Sequence, residues 1–343
     1  MSSIKELNEV HDMLCDDVSK MVYLNKAAYE ITGNYLYLRN IINHCYPQLR
    51  CPDGRKNIII YGAGIYGENI EFSLSSGATI PIKCFWDRNH AAYTEGLHGK
   101  PVYPIGTGLD PSSDQVVIAS TNKSSIYEMR HELLSFPIPE ENILEAKDFF
   151  APHKYQYFDG DIISFNEKEV FLDCGSFDFG NSKFLLSRCD TVNAIYAFEP
   201  IVSDLLKNEI KTCHFNGVHL FEAAVWNENG ETNFIVAGGG STEGSYVASN
   251  GNVMVKTVKL DDVINIDDKV TFIKMDIEGS ELMALKGAER IITRDKPKLA
   301  ISIYHKPEDL TEIPLLIKSM VPEYKLYVRH YSIVKWETVL YAV

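Results

Sequence analysis

The spacing of apolar residues predicts helices at the start of the chain. Over residues 1–50, apolar side chains recur at every third or fourth position, which places them on one face of a helix. The members of this stripe are Ile4, Leu7, Val10, Leu14, Val18, Met21 and Val22. The stripe is explained either by packing on the rest of its own chain or by a homodimer contact through these helices, and the pattern does not choose between them.

From residue 55 onward the pattern changes to short apolar runs rich in β-branched residues, which are typical of buried strands. The strands predicted first are 57–61, 80–86, 115–119 and 142–144. Periodicity is lost near 150–165, and the alternation of strands and helices then starts again. The strands predicted after this break are 169–173, 193–198, 219–225, 270–276, 298–304, 325–330 and 338–343.

Strands that alternate with helices predict an α/β fold with parallel, doubly wound sheets. We expect two Rossmann-like domains of this kind, the second with seven strands. The predicted domain limits are an N-terminal helical segment at 1–54, a nucleotide-binding domain at 55–155 and a second domain at 156–343. A length of 343 residues agrees with two domains at about 150 residues each.

Composition and charge narrow the classes of function. The chain has 33 basic and 47 acidic residues, a formal net charge of -14, which argues against binding to duplex nucleic acid or to anionic lipid. The seven cysteines include no C-x-x-C pair, so neither a disulfide framework nor a zinc site is expected. Without a signal-peptide pattern or a long apolar run, we expect a cytoplasmic protein that binds a small molecule.

The first glycine loop has the spacing G-x-G-x-x-G, formed by Gly62, Gly64 and Gly67, and lies between a predicted strand and a helix. Glycines in this position allow a tight turn and let a phosphate approach the helix N-terminus. Asp87 ends the next strand, where an acidic side chain meets a ribose. The loop predicts a dinucleotide, nucleotide or nucleotide-sugar site, and its alternative is a turn retained for packing alone.

The second glycine loop, DCGSFDFG, has a different spacing. Asp173 ends a strand, Gly175, Ser176 and Gly180 form the turn, and Glu199 ends the next strand. A carboxylate at the position of Glu199 can accept hydrogen bonds from both ribose hydroxyls, while an open loop accommodates a zwitterionic amino-acid tail. This arrangement favours S-adenosylmethionine over a pyrophosphate cofactor.

Four segments and the C-terminal tail carry a family resemblance. VFLDCGSFDFGNSKFLLSR, AIYAFEP, TVKLDDVI, FIKMDIEGSELMALKGAERII and the closing WETVLYAV resemble the FkbM family of S-adenosylmethionine-dependent methyltransferases, over roughly residues 160–343. The resemblance implies a seven-stranded methyltransferase fold. It also implies transfer of a methyl group, usually to a hydroxyl of a sugar or natural product.

Carried over by position, the resemblance implies cofactor contacts for the following residues: Asp173, Gly175, Ser176, Gly180, Glu199 and Asp276. Glu222 and Ala223 would lie near the adenine. The family often has an amide at the position of Glu222, so this residue departs from the pattern.

A third group of residues matches the family motif D-x-E-G-x-E and supplies the candidates for catalysis: Asp276, Glu278, Gly279 and Glu281. An alcohol needs a base to take its proton, and His305, after the next strand, has a suitable unperturbed pKa of about 6.5. Asp276 or Glu278 is the alternative base or orients the histidine.

This motif is also open to a structural and to a metal-binding interpretation. Ser280 is expected to cap a helix with Glu281 in its first turn, which would make Glu281 structural. A divalent ion on Asp276 and Glu278 is the second possibility. Because no repeated ligand spacing supports a metal ion, we expect no metal site. The expected cofactor is S-adenosylmethionine alone.

The first domain resembles the Rossmann-like, nucleotide-sugar-recognising domains attached to some sugar-modifying enzymes, through IIIYGAGIYGENI, CFWDRN, HGKPVYPI and VVIAS. This resemblance implies that Gly62, Gly64, Gly67 and Asp87 hold a nucleotide while the second domain methylates the attached group. The glycines at 238–240 further predict a mobile loop beside the cofactor or acceptor.

Three functions therefore compete. The first is O-methylation of a sugar or nucleotide-linked sugar, a role in carbohydrate biosynthesis. The second is an NAD-dependent oxidoreductase that uses the G-x-G-x-x-G domain, although no Tyr-x-x-x-Lys pair follows at a useful spacing. The third is a non-catalytic nucleotide-binding scaffold.

Overall fold

The computed structural model of the chain describes residues 4–45, 57–77, 82–120, 122–146, 156–236, 245–248, 251–332 and 335–343. The glycines at 238–240, for which a mobile loop is predicted, lie outside the described residues. So do the first two residues of the strand predicted at 80–86.

The helices are α1 (Ile4–Met13), α2 (Asp17–Thr32), α3 (Tyr35–Cys45), α4 (Ile65–Gly77), α5 (Lys123–Leu133), α6 (Gly180–Leu186), α7 (Asp204–Thr212), α8 (Leu260–Val263), α9 (Glu281–Lys286), α10 (Glu289–Asp295) and α11 (Asp309–Met320). The strands are β1 (Asn57–Tyr61), β2 (Ile82–Trp86), β3 (Val102–Tyr103), β4 (Asp114–Ile118), β5 (Ile143–Glu145), β6 (Glu169–Cys174), β7 (Val192–Phe198), β8 (Val218–Phe221), β9 (Ala224–Trp226), β10 (Gly230–Ile235), β11 (Tyr246–Val247), β12 (Val253–Lys259), β13 (Phe272–Met275), β14 (Lys298–Ser302), β15 (Leu326–His330) and β16 (Thr338–Ala342).

The contacts within the chain define two compact units. One consists of Met1–Ala27, Tyr155–Arg329 and Trp336–Val343, and the other of Ala28–Lys154 and His330–Lys335. The domain limits stated above from the sequence stay a prediction.

The smaller unit contains a five-stranded sheet in the order β3-β2-β1-β4-β5 among its described residues. The central strand β1 pairs in parallel with both β2 and β4. Its three isoleucines are buried, as expected for a run of β-branched residues covered on both faces. The carboxyl end of β1 leads through Gly62 directly into α4, so the predicted strand–loop–helix order is present.

Backbone conformation explains one glycine of this first loop, and close packing explains another. Gly62 has a φ of 111°, which L side chains rarely adopt. A Cβ on Gly67 would lie 1.9 Å from the carbonyl oxygen of Gly62. Gly64, by contrast, has open space around its Cα. Two of the three glycines are therefore required by the turn itself.

The larger unit contains a seven-stranded sheet in the order β15-β16-β14-β13-β6-β7-β8 within the described part of the chain. Strands β6, β13 and β14 are parallel to one another, whereas β16 is antiparallel to β14. All residues of β13 are buried, because helices cover a parallel sheet on both faces. The predicted α/β fold class with a seven-stranded second sheet is confirmed.

The strand predicted at 219–225 is wrong in one respect, because the run is divided between two sheets. β8 forms an edge of the seven-stranded sheet, whereas β9 pairs in parallel with β12 in a smaller sheet of order β11-β10-β12-β9. At the change of sheet the sequence shows one charged residue, Glu222, and periodicity carries no information about the partner of a strand.

The N-terminal apolar stripe is partly covered by its own chain. Val10, Leu14 and Val22 are buried. The amide of Cys15 donates to the carbonyl oxygen of Leu326 at 3.0 Å, which ties the end of α1 to β15. Packing on the same chain accounts for these positions, and the homodimer stays a prediction. Among the described residues, no helix has the length and apolar character needed to cross a membrane.

The first glycine loop gives a test of the fold. Gly67→Ala places a methyl group against the Gly62 carbonyl, so we expect it to lower the free energy of unfolding by about 1–3 kcal/mol. The matched variant Gly64→Ala meets open space and should stay within about 0.5 kcal/mol of the wild type. Urea unfolding followed by circular dichroism measures both, and equal effects would contradict the packing explanation.

Candidate functional site

A cavity of about 200 Å³ opens at the carboxyl ends of β6, β7 and β13. In parallel α/β sheets this edge is where ligands bind. The predicted site residues in its wall are Gly175, Ser176, Glu199, Ala223, Asp276 and Glu278. The structure thus brings together residues that lie up to 103 positions apart in the chain, from 175 to 278.

Asp173 is hydrogen-bonded to the second glycine loop and is not among the described residues of the cavity wall. Its Oδ2 accepts hydrogen bonds from the hydroxyls of Ser182 at 2.6 Å and Ser176 at 3.2 Å. Its Oδ1 lies 3.4 Å from the ammonium of Lys274. Because these partners occupy a fully buried carboxylate, Asp173 positions the loop and does not reach into the cavity.

Lys274 is a residue that the sequence analysis missed. It is buried in β13, and its Nζ donates to the carbonyl oxygens of Gly175 at 2.7 Å and Cys174 at 3.2 Å. Burial opposes the charge, but Asp173 and Asp276 together raise the pKa of Lys274 above its usual value. The only hint in the sequence is a lysine at a position where β13 is otherwise apolar.

Gly175 is required by close approach of two strands. It has a φ of 81°, and a Cβ there would lie 2.0 Å from the carbonyl oxygen of Asp276. Gly180 begins α6, where its amide donates to Oδ1 of Asp178 at 2.8 Å. Among the described residues of the cavity wall, Gly180 is absent.

Glu199 follows β7 and lines the cavity. Its two oxygens accept the amides of Phe177 at 3.2 Å and Ile201 at 3.3 Å, and burial raises its pKa. Each oxygen retains a further acceptor position for a ligand. Ala223 is buried in the wall, whereas Glu222 is exposed and lies outside the described cavity residues.

Asp276 accepts hydrogen bonds from two tyrosines. The hydroxyl of Tyr157 donates to its Oδ2 at 2.8 Å and that of Tyr304 donates to its Oδ1 at 3.0 Å. Burial favours the protonated acid, but Lys274, His305 and the tyrosine hydrogen bond lower the pKa of Asp276 overall. Neither tyrosine has a signature in the sequence, because Tyr157 lies where periodicity is lost and Tyr304 lies at the end of an apolar strand.

His305 lies among three carboxylates and has a side chain only 9% exposed. Its Nε2 is 3.2 Å from Glu278 and 3.6 Å from Asp276, and its Nδ1 is 3.1 Å from Glu281. Burial lowers the pKa of His305, but the carboxylates outweigh it and raise the pKa to about 10. At neutral pH this ring is an imidazolium, a hydrogen-bond donor that has no lone pair to accept a proton. The role of His305 as the base stays a prediction.

The turn from Asp276 to α9 places two glutamates at different nitrogens of the His305 ring, Glu278 at Nε2 and Glu281 at Nδ1. Glu278 and Gly279 both have a positive φ, of 54° and 90°. Oε1 of Glu281 is buried and accepts the amide of Ile277 at 2.8 Å. Ser280 precedes α9 as predicted, but the expected cap is wrong, because its side chain makes no capping hydrogen bond. The buried carboxylate of Glu281 orders this turn instead.

Atoms of the kind that bind metals come within 4.8 Å of one another at Asp276, Glu281 and His305. Nε2 of His305 lies 3.6 Å from Asp276 and its Nδ1 lies 3.1 Å from Glu281. The expectation of no metal stays a prediction.

In the first glycine loop, Asp87 contacts the backbone. Its Oδ2 accepts the amide of Ala63 at 2.8 Å and its Oδ1 accepts the amide of Asn89 at 2.7 Å. These bonds close the loop against the end of β2. The nucleotide site predicted at Gly62, Gly64, Gly67 and Asp87 stays a prediction.

A comparison with known protein families finds a match within the larger unit. Residues 173–324 match the family model described as the methyltransferase FkbM domain. The resemblance read from the sequence is confirmed over these residues. None of the curated proteins compared with the chain matches it.

A solved structure shows the same fold over most of the length. It is the crystal structure of methyltransferase FkbM from Methylobacillus flagellatus KT, with a TM-score of 0.50 and 18% sequence identity. The alignment covers 95% of this chain and 99% of that chain. At this identity the likeness concerns the fold alone.

The charge state of His305 can be tested by NMR. We expect its ring to stay protonated well above pH 8, and Glu281→Gln to lower its pKa, because one carboxylate partner is lost. The exposed control Glu312→Gln should leave this titration unchanged. A wild-type His305 that titrates near pH 6.5 would contradict the assignment.

The raised pKa of His305 also predicts how the stability of the fold depends on pH. A folded-state pKa of about 10 exceeds the unfolded value of 6.5, so protonation of His305 stabilises the fold fully below pH 6.5. This contribution is lost as the pH rises from 6.5 to about 10. Over that range we expect wild-type stability to fall more steeply than that of His305→Asn, as measured by thermal unfolding.

Proposed function

We propose that the chain is an S-adenosylmethionine-dependent methyltransferase that methylates a hydroxyl of a sugar or nucleotide-linked sugar. The observation that carries this proposal is the cavity at the carboxyl ends of β6, β7 and β13, with carboxylates at Glu199 and Asp276 in one wall. The family match over residues 173–324 supplies the reaction class.

The residues present fit the proposed cofactor. Glu199 offers one free acceptor position on each oxygen to the two ribose hydroxyls. Ala223 provides a small, apolar wall for a flat base. Phe177 and Glu199 are linked by a hydrogen bond, so the loop and the ribose-binding acid are held together.

The electrostatics suit a cationic donor. S-adenosylmethionine supplies a methyl group on a positively charged sulfur. Asp276 and Glu278 place carboxylates in the cavity wall, and Asp276 is kept ionised by its lowered pKa. Because the tyrosine bonds fix Asp276, the negative charge stands in place without reorganisation.

Methyl transfer also requires alignment and removal of a proton from the acceptor. Two of the groups first considered as the base have a pKa far from neutral: Asp276 is a weak base and His305 is protonated. In the proposed reaction, the imidazolium of His305 forms ion pairs with Glu278, which lines the cavity, and with the buried Glu281, and so fixes the turn that carries Glu278. The sugar hydroxyl as acceptor rests on the family resemblance.

Calorimetry with the purified chain tests the cofactor. We expect S-adenosylmethionine to bind and Glu199→Gln to weaken it by about 1–3 kcal/mol, because one charged partner of the ribose is lost. The matched control Glu228→Gln alters an exposed carboxylate outside the described cavity wall and should bind as the wild type does. Binding of NADH without S-adenosylmethionine would overturn the proposal in favour of an oxidoreductase.

Mass spectrometry tests the acceptor. The chain is incubated with S-adenosylmethionine and a panel of free and nucleotide-linked sugars, and methylated products are sought. A methyl ether on one of these sugars supports the proposal. Binding of the cofactor with no product over the whole panel would contradict the sugar acceptor and favour a non-catalytic scaffold.

A further inference from the structure

The four-stranded sheet β11-β10-β12-β9, the small sheet, turns one face toward the cavity. Its strands β9, β10 and β11 contribute Ala224, Phe234 and Val247 to the described cavity wall. Phe234 and Val247 are directly opposite each other in the antiparallel pair β10–β11, so their side chains lie on the same face of the sheet. Tyr246, next to Val247, is exposed, as alternation along a strand requires. The small sheet thus presents an apolar face to the cavity.

A cluster of apolar side chains holds this face in place. Its buried members and the side chains packed on them are Ala224, Phe234, Val255, Ile201, Val236 and Val247. Phe234 is only 5% exposed, so its ring has a fixed place in the wall. Val255 belongs to the cluster but is not among the described residues of the cavity wall. Some members of the cluster therefore reach the cavity, whereas Val255 supports them from within the protein.

Ile201 connects the cluster to the acid that is proposed to bind the ribose. Its amide donates to Oε1 of Glu199 at 3.3 Å, and its side chain packs against the cluster that contains Phe234. Pro200, between these two residues, also lines the cavity. The apolar face and Glu199 are therefore neighbours, joined through one residue. A ligand with its ribose hydroxyls on Glu199 has its adjoining group beside the small sheet.

The path of the chain also leads from the ribose position to the small sheet. β8 pairs in parallel with β7, and the amide of Glu199, at the end of β7, donates to the carbonyl oxygen of Phe221 at 3.1 Å. Two residues after Phe221, Ala223 lines the cavity and the chain enters β9. The wall is therefore continuous from the ribose-binding acid to the small sheet.

The chemistry of this face suits a flat, apolar group. In S-adenosylmethionine the adenine is attached directly to the ribose, and a purine packs on aromatic and aliphatic side chains through dispersion. The acids of the wall, Glu199, Asp276 and Glu278, come from other segments of the chain. None of the described wall residues that the small sheet contributes is charged, so the charged tail of the cofactor has no ionic partner there.

We propose that the face formed by Ala224, Phe234 and Val247 is the binding slot for the adenine of S-adenosylmethionine. The inference rests on the function proposed above and adds residues to its cofactor site. The ring of Phe234 packs on the base, and Val247 closes the slot beside it. Recognition of the base thus belongs to the small sheet, whereas recognition of the ribose belongs to Glu199.

A matched pair of valines separates binding from packing. Val247 and Val255 belong to the same cluster, but of the two only Val247 is among the described wall residues. We expect Val247→Ala to weaken binding of S-adenosylmethionine by about 3- to 5-fold in calorimetry, because apolar contact with the base is lost. Val255→Ala should lower the free energy of unfolding but keep the affinity within about twofold of the wild type. Unchanged binding by Val247→Ala, or equal losses in both variants, would overturn the proposal.

NMR tests the contact itself. The wild type and Phe234→Leu are prepared with isotope-labelled phenylalanine rings and saturated with S-adenosylmethionine. We expect a nuclear Overhauser effect between adenine H2 or H8 and one labelled ring of the wild type, and its loss in Phe234→Leu. Met254→Ala, at an exposed position on the other face of β12, should retain it. Absence of the effect in the wild type, or the same effects in the wild type and Phe234→Leu, would refute the slot.

A nucleoside without the amino-acid tail separates this inference from the proposed function. 5′-Deoxy-5′-methylthioadenosine contains the adenine and ribose but has a neutral sulfur. We expect Val247→Ala to weaken its binding by the same factor as that of S-adenosylmethionine. A loss confined to S-adenosylmethionine would assign the face to the methionine tail and not to the base. If the wild type does not bind S-adenosylmethionine, the proposed function fails. The slot then stands if the nucleoside binds and gives the Overhauser effect to Phe234, and falls if it does not.

Discussion

The buried ammonium of Lys274 is the interaction on which the site depends. A charge without water around it is unfavourable by several kcal/mol unless it is paired and hydrogen-bonded. Here Asp173 pairs with it, and two carbonyl oxygens of the glycine loop accept its protons. The loop is therefore shaped around the lysine, and the path of the chain from β6 to α6 follows from that contact.

The same charge influences Asp276, two residues farther along the chain. Lys274 helps to lower the pKa of Asp276, and Asp276 in turn helps to raise the pKa of His305. These three groups therefore affect one another's protonation, which favours a carboxylate at Asp276 and an imidazolium at His305.

Much of the fold could be predicted from residue patterns, because buried parallel strands appear as short β-branched runs. The central strands β1, β6 and β13 were all expected within two or three residues of their observed ends. The division of the run at 219–225 between two sheets was not expected, because periodicity is the same whichever neighbour a strand pairs with. The site was predictable where motifs carried it, as at Gly175 and Glu199, and not where a single residue arrives from a distant segment.

Six residues of the cavity wall were thus available from the sequence, because turns and strand ends have local signatures. The charges they carry were not. His305 has the side chain of a base, but three carboxylates brought together by folding make it a cation. Lys274 is marked only as a lysine in an otherwise apolar strand, and Tyr157 has no local signature. The role of Tyr157 comes from a contact with Asp276, 119 positions away in the chain. Protonation depends on distance and burial, and both are properties of the folded chain.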